Sequence, residues 1–405
     1  MKRVLLVAAT TGYQVREFAA AARELDVELV LATDRCHIME NPWGDHAAPV
    51  RFEDPDPGIE ALAARGPFDG ILAVGDRPAC VAAQAAEHLG NLRFHSAEAA
   101  RAASNKLLAR ERFRAGGMAV PEFRRMSHTA ARSGTSLPDV RFPCVLKPLD
   151  SSASRGVIRA NNPEEFVQAA ARIARMQDGD LIVEDYIPGR EFALEGVVTN
   201  GTLQTLALFD KPDPLEGPYF EETIYVTPSR EPHNVQARIR DTAQAAVTAL
   251  GMTNGPVHAE MRVNDQGVWI LEAAPRPIGG LCARVLRFEA PYNTLEQLLL
   301  RHALGEDVSS ATLAAGGHGV MMIPIPHSGV YRGVHGLEDA RRVPGVEDIV
   351  ITAKEGQETV PLPEGSSYLG FLFFRGKSAD LVPEALREVH QRLKFDFSAA
   401  LPIVK

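Results

Sequence analysis

Between Val4 and Gly90 the chain alternates short apolar runs with amphipathic ones, and that alternation admits few folds. Residues 4–8 are apolar throughout, as in a parallel strand buried on both faces. Val15, Phe18, Ala22 and Leu25 then recur on one helical face. Residues 27–32 and 70–74 supply two more strands, and residues 77–89 form a helix that Gly90 ends. This is a doubly wound α/β pattern. Its first strand runs into Ala8-Ala9-Thr10-Thr11-Gly12 and not into GxGxxG, which argues against a nicotinamide dehydrogenase.

The pattern changes near residue 104. Ser104 is the expected cap of a helix carrying Asn105, Lys106 and Leu107. Residues 127–140 are polar and read as a loop, residues 142–147 as a strand, and residues 151–156 as a loop of small residues. Asn162-Pro163-Glu164-Glu165 starts a helix, with Asn as cap and Glu placed to return a hydrogen bond. Strands follow at 181–184 and 191–198, and a Pro- and Gly-rich loop at 210–218. A helix over 236–250 ends at Gly251. Residues 257–263 and 268–273 form a hairpin through Asn264-Asp265-Gln266-Gly267. A short helix spans 294–304, and from Gly316 the chain is rich in Gly, Pro and short β runs, with a last helix near 381–393.

A chain of 405 residues with 45% hydrophobic and 23% charged residues can bury more than one core, so two or three domains are expected. The net charge of −9 disfavours a general nucleic-acid binder. Cys36, Cys80, Cys144 and Cys282 form no CxxC pair and read as free thiols of a reducing cytoplasm. The first apolar run is too short for a signal-peptide core, and no apolar stretch is long enough to span a bilayer.

The chemistry-bearing residues sit at strand ends. Glu260 and Glu272 lie on the two strands of the hairpin, where the turn can bring them side by side. Two such carboxylates repel unless a cation lies between them, and Mg²⁺ suits oxygen ligands shared with phosphate. The spacing alone fits two solvated glutamates equally well. Arg276, four residues on, can clamp an oxyanion, and Gly279 and Gly280 would let a substrate approach the backbone. Lys147 ends its strand just before the small-residue loop, whose N–H groups can cradle an anion, although no Walker A motif is present. Glu184, Asp185, Tyr186 and Ile187 form a strand end able to meet a purine edge, with Glu191 able to accept from a ribose. His258 shares the face of Glu260 and reads as a core histidine or a support to it. Cys282 reads as a structural thiol.

In this order the residues resemble the ATP-grasp superfamily, over roughly residues 104–305. The resemblance implies an ATP-grasp fold, of mixed α/β and α+β class. It implies a Rossmann-like domain over 1–103, an ATP-grasp domain over 104–312 and a small β-rich domain over 313–405. It implies ATP and Mg²⁺, with Mn²⁺ as a substitute ion. Lys106 and Lys147 then contact phosphate, and the 151–156 loop, with Ser152, Ser154 and Gly156, covers it. Glu184, Asp185, Tyr186 and Ile187 become the adenine hinge, Glu191 the ribose carboxylate, and Glu260 and Glu272 the metal ligands. Arg276 stabilises an acyl phosphate.

The PRPIGG segment after Glu272, and the Gly- and Pro-rich C-terminal unit, are similar to those of the L-amino acid ligases. That similarity implies ADP-forming amide or peptide synthesis from an amino acid or related small carboxylic acid and an amine, amino acids being the expected pair, with Glu222 on the substrate amine and Arg276, Gly279 and Gly280 beside the substrate. Charge, cysteines and hydropathy together make the expectation a cytoplasmic enzyme with neither nucleic acid nor membrane as partner, and a homodimer is the expectation for a soluble enzyme. Ala274 stands where many ATP-grasp enzymes have Asn, and Tyr225 where dipeptide ligases have His. The E-A-A-P-R run also resembles the carboxylases that work through carboxyphosphate, and a nucleotide-binding regulatory protein without turnover is the remaining alternative.

Overall fold

The computed structural model describes residues 1–9, 12–34, 47–90, 92–134 and 139–399. Thr10, Thr11 and Cys36 lie outside them, as do residues 135–138; the rest of 127–140, expected as a loop, instead holds the short helix His128–Ser133, which Ser127 caps by accepting from the Ala130 N–H. The N-terminal domain holds β1 (Lys2–Ala8), β2 (Val27–Thr33), β3 (Ala47–Pro49) and β4 (Gly70–Val74) in one parallel sheet, ordered β3-β2-β1-β4. Val4 to Ala8 are fully buried, as their unbroken apolar run requires. Helices Val15–Glu24 and Asp76–His88 cover the sheet, and Gly75, with φ of 103°, makes the sharp exit from β4 into the second of them.

Asn105, not Ser104, caps the helix Lys106–Ala115: its side chain accepts from the N–H groups of Leu107 and Leu108, both at 3.1 Å. Ser104 instead ends the preceding helix, Ala97–Ser104, and its hydroxyl meets the Cys80 sulfur at 3.1 Å. Both residue types can cap, so composition alone does not choose between neighbours.

A small lobe follows, with β5 (Phe123–Met126), β6 (Cys144–Pro148), β7 (Ile158–Ala160) and β8 (Leu181–Asp185) in the antiparallel order β5-β8-β6-β7. Helix Pro163–Met176 backs it, capped by Asn162 through the Glu165 N–H at 2.9 Å. Glu165 returns its hydrogen bond to the N–H of Asn161, one residue earlier than expected.

The large lobe supplies β9 (Arg190–Thr199), β10 (Thr202–Lys211), β11 (Ile224–Thr227), β12 (Gly255–Asn264) and β13 (Gly267–Ala274). The C-terminal unit adds β14 (Gly317–Ile323), β15 (Gly329–His335), β16 (Val346–Ile351), β17 (Glu358–Thr359), β18 (Gly370–Gly376) and β19 (Lys394–Ser398). Eight strands from both join in one sheet, β13-β12-β9-β10-β11-β14-β18-β16. The C-terminal unit therefore extends the sheet of the large lobe, where the sequence suggests a separate body. Strands β15, β17 and β19 form a small sheet of their own.

The large sheet owes its two characters to strand alternation. On one face Phe192, Leu194, Ala259, Met261 and Ile270 pack under helix His233–Leu250 in a continuous apolar core. On the other face the same strands present Glu191, Glu195, His258, Glu260 and Arg262. Alternation thus places the apolar anchors and the polar floor of the site on the same strands.

Candidate active site

One cavity of about 370 Å³ lies where the N-terminal domain, both lobes and the C-terminal unit meet. Every site residue expected from sequence lines it except Gly156. The loop faces the cavity through Ser152 and Ser154. Gly156 sits behind them, its N–H held by the Pro363 carbonyl at 2.9 Å, and with φ of 72° a Cβ there would fall 2.9 Å from Pro148. Gly156 is thus an anchor of the loop, a correction to its expected place on the nucleotide.

The turn between β12 and β13 is held by one side chain. Asn264 Oδ1 accepts from the N–H groups of Gln266 and Gly267 and from the Trp269 indole, at 3.0, 3.2 and 3.1 Å. Register then decides where the acids go. Val263 faces Val268 and Met261 faces Ile270, but beyond them the register shifts by one residue, so Leu271 is passed over and Glu272 stands opposite Glu260. Without this bulge Leu271 would oppose Glu260.

Glu260 is compensated by two cations. Lys211 Nζ lies 3.0 Å and His258 Nε2 3.3 Å from the same carboxylate oxygen. Burial would raise the Glu260 carboxyl, but Lys211 and His258 outweigh it and hold it well below the usual range. His258 also bonds Glu195 through Nδ1. Burial works against the imidazolium, yet Glu195 and Glu260 raise its pKa to about 9. His258 is therefore a charged member of the site and more than a core histidine. Glu195 further accepts from the Ile278 N–H at 3.1 Å, and Gln14 donates to the Ile278 carbonyl, so two domains fix the backbone beside Gly279 and Gly280.

Lys211 is foremost among the site residues that the sequence did not reveal. It is 2% exposed at its side chain, and its ammonium meets Glu191 at 2.9 Å, Glu222 at 2.5 Å and Glu260 at 3.0 Å. The oxygens of these three acids lie within 4.8 Å of one another, a spacing that would suit a metal ion. The ammonium already sits among them, so we assign this trio to Lys211. Burial would lower the lysine, but the three carboxylates raise it well above its usual value. At Glu222 burial wins instead: burial, with Glu260 beside it, pushes its carboxyl up to about 7 despite Lys211. The signal in the sequence was a single lysine at the start of a Pro-rich loop, which nothing ties to acids far along the chain.

Glu184 lies between Arg110, at 2.5 Å, and Lys147, at 2.7 Å, and is 2% exposed. Burial would raise it; Arg110 and Lys147 outweigh that and hold it at about 2. The carboxylate thus orients Lys147 and is not a free part of the hinge. Burial lowers the Lys147 pKa even with Glu184 beside it. Residues 185–187, the rest of the expected hinge, are pinned from outside: Asp185 and Tyr186 donate to the carbonyls of Glu122 and Pro143, at 2.9 and 3.0 Å, and the Ile187 carbonyl accepts from Arg262 at 2.8 Å. Arg262, also unforeseen, bonds Glu191 at 2.9 Å and the Leu215 carbonyl as well. Glu191 therefore has one oxygen on Lys211 and the other on Arg262 while it lines the cavity.

Lys106 reaches the Ser151 carbonyl at 2.5 Å and Glu272 at 3.8 Å. Arg276 lies 4.0 Å from Glu272, but its firmest partner is Asp76, at 2.9 and 3.4 Å, two hundred residues earlier. Burial opposes the Asp76 charge, and Arg276 outweighs it, so the pair is ionised. Ala274 is buried opposite His258 and offers no ligand atom. Burial pushes the Cys282 thiol far up, consistent with a structural thiol. Tyr225, Met322, Tyr368 and Phe220 give the cavity an apolar wall beside Glu222.

Residues 140–285 match the ATP-grasp domain family, and residues 321–398 match L-amino acid ligase C-terminal domain 2. The chain carries an ATP-grasp domain. The crystal structure of an L-amino acid ligase from Bacillus licheniformis superposes with a TM-score of 0.82 at 22% identity, covering 98% of this chain and 99% of that one, which shows a shared fold. The ATP-grasp enzyme fsqD of Aspergillus fumigatus is 26% identical over 313 residues, 65% of this chain and 53% of its own. A D-alanine–D-alanine ligase of Lacticaseibacillus casei is 30% identical over 144 residues, 34% of this chain and 38% of its own. The chain thus spans about half, or less, of the curated relatives it matches. Among the described residues no helix is long and apolar enough to cross a membrane.

Proposed function

We propose that the protein is an ADP-forming ligase that joins a small carboxylic acid to an amine through an acyl phosphate. The observation that carries this reading is the convergence of Lys106, Lys147, Glu260, Glu272 and Arg276 on one cavity that also holds the hinge and an apolar pocket. Little covalent chemistry falls to such a protein, so position and charge do the work.

ATP lies with its base at Tyr186 and Ile187 and its ribose toward Glu191. Lys106, Lys147 and the N–H groups around Ser152 and Ser154 meet the phosphates. Glu260 and Glu272 fit Mg²⁺ or Mn²⁺, being adjacent acids whose nearby cations are the kind of compensation that a bound ion supplies or displaces. The ion, when bound, neutralises phosphate charge. The substrate carboxylate attacks the γ-phosphorus, its P–O bond to ADP breaks, and Arg276 steadies the acyl phosphate. The amine, near Glu222, then attacks the acyl carbon and phosphate leaves with the former carboxylate oxygen. A group with pKa about 7 suits Glu222 to hold the amine or take its proton.

Amino acids are the substrate class we favour, because Tyr225, Met322, Tyr368 and Cys282 line the cavity with an apolar wall that a side chain can use and bicarbonate cannot. The test is phosphate release from ATP with all pairs from a panel of amino acids, related acids and amines, and with bicarbonate, using Glu272→Ala as control. Release that needs acid and amine together, and is lost in the variant, supports the proposal. Release driven by bicarbonate and an amine would replace it with carboxylation.

A further inference from the structure

The loop at 151–156 is held from outside its own lobe. Ala153 and Ser154 both have φ of 54°, a left-handed conformation that L-residues rarely adopt. Such a loop relaxes unless its surroundings hold it. Two of its bonds lead to the C-terminal unit: Gly156 N–H to the Pro363 carbonyl at 2.9 Å, and Arg155 Nε to the Glu364 carbonyl at 3.0 Å. The Glu364 side chain then grips Arg172, on the helix behind the loop, with both oxygens, at 2.6 and 2.9 Å.

Arg172 has a third partner. Its remaining nitrogen donates to the Tyr219 hydroxyl. Tyr219 belongs to the segment that carries Glu222, and that segment also lies on β7: Arg159 donates from its N–H to the Pro218 carbonyl at 2.9 Å and from its side chain to the Glu216 carbonyl at 2.7 Å. One guanidinium therefore joins the loop over the nucleotide, the segment beside the substrate, and the C-terminal unit.

We propose that Arg172 and Glu364 are positioning residues that keep the 151–156 loop closed and couple its closure to the Tyr219–Glu222 segment. The coupling rests on the ligase reading above; the closure does not. An exposed ion pair by itself contributes little, and here Arg172 and Glu364 are 37% and 40% exposed at their side chains. What distinguishes this pair is its two-pronged geometry and the backbone bonds that depend on it. In turnover, a loop that opens early would admit water to the acyl phosphate, so ATP would be spent without amide formation.

The test begins with the unliganded protein. Trypsin cleavage after Arg155 is mapped by mass spectrometry in the wild type, Glu364→Ala, Arg172→Ala, Arg172→Lys and the exchanged pair Arg172→Glu/Glu364→Arg. Both alanine variants should be cut there about tenfold faster, with other sites and the thermal midpoint unchanged. Arg172→Lys should fall between, since it keeps charge but loses the fork, and the exchanged pair should recover protection. With substrates, the alanine variants should release more phosphate than amide, while the wild type releases one per amide. Unchanged cleavage after Arg155 in both alanine variants overturns the proposal, as does faster cleavage that appears only with a general loss of stability not restored by the exchange. If the wild type makes no amide from any pair, the ligase reading and the coupling fall, and the proteolysis still decides closure.

Discussion

Replacing Lys211 with Met would leave three carboxylates facing one another with their shared cation gone. Their oxygens lie within 4.8 Å, and two unit charges at that distance repel by about 3.5 kcal/mol at an effective dielectric of about 20. Three such pairs cannot all remain charged, so the variant should take up a proton, and Glu222, already at about 7 with the lysine present, is where it should go. Protonating Glu222 removes two of the three repulsions. The net loss of stability at pH 8 should be about 3–5 kcal/mol, the usual cost of removing one partner from a buried ion cluster.

The sign with pH follows from the direction of the shift. A carboxyl whose folded pKa lies above its unfolded value binds protons more readily when folded, so stability falls as pH rises through that window. Lys211→Met should therefore regain part of its loss when pH is lowered from 8 to 6. Urea unfolding at both pH values, followed by the first transition, measures this. Equal stability of variant and wild type at both values, within about 1 kcal/mol, would refute the account of Lys211. Mg²⁺ should also stabilise the variant more than the wild type, because the vacated trio has metal-binding spacing.

Other consequences follow from the same network. Arg110→Met should cost about 3–5 kcal/mol by urea unfolding and raise the apparent KM for ATP, because Glu184 would then face Lys147 alone. The His258 contribution is fully present below its unfolded value of 6.5 and should fade as pH rises through about 9, by about 3 kcal/mol; His258→Gln should flatten that part of the pH–stability curve. Asp76→Asn should lower kcat more than it raises the KM for ATP, since it frees Arg276 without touching the hinge. Cys282→Ala should keep most of the turnover, and wild-type Cys282 should resist iodoacetamide at pH 8 until the protein unfolds, because burial holds the thiol protonated.

Local pattern made much of this molecule legible. The hairpin announced itself by two apolar runs around Asn264 and Gly267, and the first domain by its alternation of runs. The bulge at Leu271 was not legible, although the meeting of Glu260 and Glu272 depends on it. Nor were the residues that set the site's charge. Lys211 and Arg262 are single cations among many in the sequence, and only the stacking of β9, β10 and β12 brings them to Glu191. Asp76 meets Arg276, and Glu364 meets Arg172, across nearly two hundred residues or more, where no periodicity reaches. Glu184 was placed correctly at the strand end, but its two cationic partners turned it from a hinge group into the clamp on Lys147.

The most direct test of the central claim follows an oxygen atom. The acid that supports turnover is labelled with ¹⁸O in its carboxylate and incubated with ATP, Mg²⁺ and the amine, and the released phosphate is analysed by mass spectrometry. An acyl phosphate intermediate requires one labelled oxygen in each phosphate formed with amide. Unlabelled phosphate, released at the same rate, would contradict it.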